Sequence, residues 1–97
     1  MILNYADIQK RSRRIFDSND FVKRVYLFGS YARNQANDKS DIDFLVEINR
    51  EVGMEFFGLY EYLQDEFQKP VDVITEEEAK NIMGNKIDKD KVLIYER

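Results

Sequence analysis

Leu27-Phe28-Gly29-Ser30-Tyr31-Ala32-Arg33 is followed, after six intervening residues, by Ser40-Asp41-Ile42-Asp43. The apolar run Val25-Tyr26-Leu27-Phe28 stops at Gly29, which suits a buried strand that ends in a sharp turn. Residues 30–35 read as a turn or short helix, and Asn37, Asp38 and Ser40 as a loop. From Asp41 to Ile48 the pattern alternates: Ile42, Phe44, Val46 and Ile48 point one way, and Asp41, Asp43, Leu45 and Glu47 the other. That predicts a strand with one face on the core.

The chemistry of this unit follows from its residue types. Gly29 lets a ligand approach the backbone closely. The first N–H groups of the following turn have no intrahelical partner and favour an anion. The Ser30 hydroxyl adds a donor, and Arg33, three residues on, is placed to face the same phosphates. Asp41 and Asp43 are two apart on the expected strand, so both carboxylates leave the same face. They repel each other unless a cation lies between them, and Mg²⁺ suits such a pair. Asp72, between Val71 and Val73, stands in another expected strand. If that strand adjoins the first, three carboxylates can hold two metal ions roughly 3.5–4 Å apart, as an in-line displacement requires.

The flanking elements read outward from this centre. Residues 5–17 form an expected helix with Ile8, Ser12, Ile15 and Phe16 on its inner face. Residues 54–68 form another, with Phe56, Tyr60, Leu63 and Phe67 inward, stopped before Pro70. Val71-Asp72-Val73-Ile74 is a short strand. Thr75-Glu76-Glu77-Glu78 matches a capping box, opening a helix that covers Ala79 and Ile82 and ends near Gly84. Val92-Leu93-Ile94-Tyr95 is a closing strand. The order gives a small sheet with helices packed against it, in one domain over residues 1–97.

Composition narrows the function. The chain has no cysteine and no histidine, so thiolate and imidazole chemistry are excluded. Catalysis must use carboxylates, hydroxyls, Lys, Arg or a bound metal. The net charge of -4 argues against long nucleic acid as a partner. The cluster Lys10-Arg11-Arg13-Arg14 reads first as a solvated helix face, although it could dock an acidic partner. The aromatics of residues 56–67 exceed what one inner face needs, which makes Phe57 or Tyr62 candidates for an interface. The start Met1-Ile2-Leu3-Asn4-Tyr5 lacks signal-peptide character, and no apolar run is long enough to span a bilayer. A soluble cytoplasmic protein is expected.

Gly29-Ser30, ten residues, then Asp41-Ile42-Asp43 resembles the signature of the DNA polymerase beta-like nucleotidyltransferases. The stretches 27–33 and 40–47 are especially similar to the minimal nucleotidyltransferases (MNT) of bacteria and archaea. Val71-Asp72-Val73-Ile74-Thr75 resembles the family's third acidic strand, and Val92-Leu93-Ile94-Tyr95-Glu96 its closing strand. One departure is Asn34, where many members have Gly; Asn tolerates left-handed backbone.

The resemblance implies an α+β fold of the nucleotidyltransferase palm type, a small mixed sheet with helices mainly on one face. It implies that Gly29, Ser30 and Arg33 bind the triphosphate. Asp41 and Asp43 would bind Mg²⁺, and Asp72 would complete a second ion's site and help deprotonate the attacking hydroxyl. ATP would be the substrate. Small members are typically encoded beside an all-helical HEPN protein, as the antitoxin that transfers AMP to a toxin tyrosine. Two other readings stay open: a binding antitoxin without catalysis, and a catalytic subunit whose nucleic-acid or small-molecule acceptor is held by another chain.

Overall fold

The computed structural model describes residues 3–83 and 90–97. Among these residues the elements are, in order, α1 (Tyr5–Asp17), β1 (Val22–Phe28), α2 (Gly29–Ala32), β2 (Ile42–Ile48), α3 (Met54–Phe67), β3 (Val71–Thr75), α4 (Glu76–Met83) and β4 (Val92–Glu96). The strands form one mixed sheet in the order β3-β2-β1-β4. β1 runs antiparallel to β2 and β4, and β2 runs parallel to β3. The parallel pair is joined through α3, as a crossover requires.

The pleat sorts residues onto two faces. On one, Val25, Leu27, Ile42, Phe44 and Val46 meet Ile8 and Phe16 of α1 and Leu59, Leu63 and Phe67 of α3. The Phe16 and Phe44 rings meet edge-on, 5.7 Å between centroids. On the other, Phe28, Leu45 and Ala79 form a smaller cluster with Tyr26 and Ile74. Beyond it lies an ion-pair network in which Arg24 bridges Glu47 and Glu96 at 2.9 and 2.7 Å. β2 therefore has apolar cover on both faces. Its expected outward residue Leu45 is only 2% exposed because α4 lies over it.

Local signals explain the boundaries. The Asn4 side chain accepts from the Asp7 amide at 2.8 Å and starts α1. The capping box at Thr75 is formed: the Glu78 amide donates to Thr75 Oγ1 at 3.2 Å, and the Thr75 amide donates to Glu78 Oε1 at 3.4 Å. α3 ends on Gln68, left-handed at φ 52°, just before Pro70. The predicted inner face of α3 omitted Leu59, which is fully buried, whereas Phe56 and Tyr60 are half-buried at its margin. The expected stop at Gly84 and the Ile82 side chain lie outside the described residues. No helix among the described residues is long and apolar enough to cross a membrane.

Candidate active site

β1 delivers the chain into the turn at Gly29, whose φ is +72°. The Asp43 carboxylate occupies the space beside it. A Cβ on Gly29 would overlap Asp43 Oδ2 and lie 3.0 Å from its Cγ. Only glycine meets both demands, positive φ and the missing side chain. The register explains the approach, since Phe28 pairs with Asp43 across β1 and β2.

On its other side Asp43 pairs with Asp72 in the parallel register of β2 and β3. Both carboxylates leave the face that carries Leu45 and α4, at its uncovered end. Asp41 precedes β2 by one residue and is exposed, so it stands at the strand's threshold where a strand position was expected. Partial burial pushes the Asp43 carboxyl up to about 6. The negative charges of Asp72 and then Asp41 push the same way, and Arg33 opposes them. Asp43 is thus the focus of negative charge at this end of the sheet. Among the described residues no three His, Cys, Asp or Glu side chains are arranged as a ready metal cage.

The segment Gly29–Ala32 is a single helical turn. The Arg33 amide donates to the Gly29 carbonyl at 3.1 Å, and the Gln35 amide to the Ser30 carbonyl at 2.8 Å. Ser30 is half-buried at the start of this turn. Asn34 is left-handed at φ 57°, a backbone region that Asn tolerates better than most residues. The Arg33 side chain is exposed, with Nε donating to Gln35 Oε1 at 3.1 Å. The loop back to β2 is tied by the Asn37 amide, which donates to Ser40 Oγ at 2.9 Å.

One supporting residue was not singled out from the sequence. Lys69 Nζ donates to the Tyr31 hydroxyl at 2.7 Å and lies 5.0 Å from the ring centroid. Tyr31 itself is buried in the main core. Lys69 thereby ties the α2 turn to the segment entering β3, while the Ile42 amide donates to Pro70 O at 3.2 Å. Nothing local links positions 31 and 69; only the pairing of β2 with β3 brings them together.

Fold and site define the class. The polymerase beta nucleotidyltransferase profile matches residues 10–97, and the chain belongs to that family. It is a nucleotidyltransferase with the family's fold. A Methanocaldococcus jannaschii protein named as a protein adenylyltransferase is 38% identical over 81 residues, covering 82% of this chain and 83% of that protein. A chain of a toxin–antitoxin complex solved with AMP-PNP superposes with a TM-score of 0.79 at 19% identity, covering 92% of this chain and 73% of its own. A chain from the complex of a tri-AMPylated Shewanella oneidensis HEPN toxin with its MNT antitoxin gives 0.73 at 17% identity, covering 95% and 72%.

Proposed function

We propose that this protein is a Mg²⁺-dependent adenylyltransferase that moves AMP from ATP to a tyrosine hydroxyl of a HEPN-domain toxin, and so acts as its antitoxin. The observation that carries the reading is the Asp43 carboxylate. It is pressed against Gly29, faces Asp72 across the parallel register, and is held well above its ordinary titration range. A protein keeps such unfavourably placed charge where a ligand relieves it. The chemistry of the donors fits Mg²⁺: hard carboxylate oxygens that repel one another and no histidine or cysteine in the chain.

Asp41, Asp43 and Asp72 would hold the metal, two ions at full occupancy. It would offset negative charge on the triphosphate and on the departing pyrophosphate. Gly29 admits the triphosphate to the backbone, Ser30 donates to a phosphate oxygen, and Arg33 adds positive charge at the same edge. Asp72, exposed at the open end of the sheet, takes the proton of the incoming hydroxyl. The hydroxyl oxygen bonds to the α-phosphorus, the bond from that phosphorus to the pyrophosphate oxygen breaks, and pyrophosphate leaves. The names of the relatives support protein as acceptor, and the HEPN complex among the structural neighbours supports the kind of protein.

The direct test is incubation with ATP labelled at the α-phosphate, a HEPN-domain partner and Mg²⁺. Label should enter the partner, and EDTA should prevent it. Neutralisation of the toxin with no label incorporated would leave a binding antitoxin instead.

A further inference from the structure

α3 is apolar on two sides. Leu59, Leu63 and Phe67 are buried against the sheet. Met54, Phe57, Gly58, Glu61, Tyr62 and Asp65 follow the spacing i, i+3, i+4, i+7, i+8, i+11 and form a second continuous stripe. Met54, Phe57 and Tyr62 are 85%, 61% and 64% exposed. A helix that buries one apolar face normally turns a polar face to water, as α1 does. Gly58 lies in the middle of this outer stripe. Among the described residues nothing lies within 4 Å of the position its Cβ would take. Glycine there lowers helix stability relative to Ala, and the packing of the described residues gives no reason for it. A locally unfavourable residue with no internal cause points to an external one.

We infer that the outer stripe of α3 docks an amphipathic, basic helix of the partner protein, which crosses α3 closely at Gly58. The missing side chain at Gly58 admits a helix backbone, with Met54, Phe57 and Tyr62 as apolar anchors beside the crossing. Charge selects the occupant. α3 contains four acidic residues and no Lys or Arg. Glu55 is paired with Arg50 and Glu66 with Arg11. Glu61 and Asp65, on the stripe itself, form no ion pair among the described residues. A second copy of this chain would set acid against acid across a two-fold axis, whereas Lys or Arg flanking an apolar stripe complements it. The inference rests on the proposed function for the identity of the partner, an all-helical HEPN protein. The stripe is on the opposite side of the sheet from Asp43 and Asp72, so it would fix the partner without touching the nucleotide.

The test measures the Kd of the full chain for the HEPN partner without nucleotide, with a Mg-ATP melting shift as the control for folding. Phe57→Ala and Tyr62→Ala should each weaken binding about 5–30-fold. Glu61→Lys with Asp65→Lys should weaken it and flatten its salt dependence. Gly58→Ala should raise the melting temperature of the chain alone yet weaken binding, which a purely internal role could not produce. Folded variants that bind at wild-type strength, a wild type that does not bind the partner, or a wild-type homodimer dissociated by these substitutions would each overturn the inference. The two proposals separate cleanly. AMP transfer with α3 variants binding normally removes the docking surface alone, and α3-dependent binding without transfer removes the catalytic reading alone.

Discussion

The carboxylate of Asp43 fills the space where a side chain on Gly29 would begin. The residue that follows β1 and the central carboxylate of the acidic set are therefore one structural unit. Gly29→Ala should damage both fold and function. It places a Cβ on Asp43 and forces Ala to φ +72°. A loss of about 1–3 kcal/mol in stability is expected, together with loss of nucleotide binding. Thermal denaturation with and without Mg-ATP checks this. A variant as stable and as nucleotide-responsive as the wild type contradicts the packing described.

Asp43 should also make the metal-free protein sensitive to pH. Its carboxyl titrates at about 6 in the fold, against an ordinary value of 3.8. The folded chain then holds this proton more tightly than the unfolded one. Stability contributed by the protonated form is complete below the lower value and is lost as pH rises to about 6. Asp43→Asn carries no charge at any pH. In EDTA it should be more stable than wild type at pH 7.5 by about 1 kcal/mol, allowing for solvent screening, with the gap closing near pH 4. Denaturant titrations across that range decide it, and a variant less stable than wild type at pH 7.5 would speak against burial of charge at this site.

Ser30→Ala should leave the fold intact and slow transfer about 10–100-fold, as expected for loss of one hydrogen bond to a charged phosphate. Circular dichroism and initial rates measure the two parts. Unfolding of the variant would give Ser30 a structural role in place of the proposed phosphate contact.

Asn34 tests whether the turn after Arg33 needs its left-handed residue. At φ 57°, Asn34→Ala should lower stability by about 1 kcal/mol, and Asn34→Gly should not. Equal melting temperatures for Asn34→Ala and wild type would show that the turn relaxes.

These residues also mark what the sequence makes legible. Alternation along 42–48, helical spacing in α1 and the Thr75-Glu78 box act over a few residues, so each is readable locally, and each is formed. Leu45 was expected to face outward because the alternation of one strand cannot reveal that α4 returns to cover the second face. Leu59 was missed because the aromatics around it dominate the spacing of α3. The acidic set was visible as residue types at a spacing. What was not visible is the closeness of Gly29 to Asp43 and of Lys69 to Tyr31, because both depend on the pairing of strands far apart in the chain.

The measurement that bears most directly on the central claim is the intact mass of a HEPN partner after incubation with this protein, ATP and Mg²⁺. The partner should gain one or more AMP units, located on tyrosine by fragmentation. Asp72→Asn should abolish the gain while Mg-ATP still raises the melting temperature, since on the proposed reading Asp41 and Asp43 would still hold the nucleotide's metal. A partner whose mass is unchanged, though bound and neutralised by the wild type, would contradict the account.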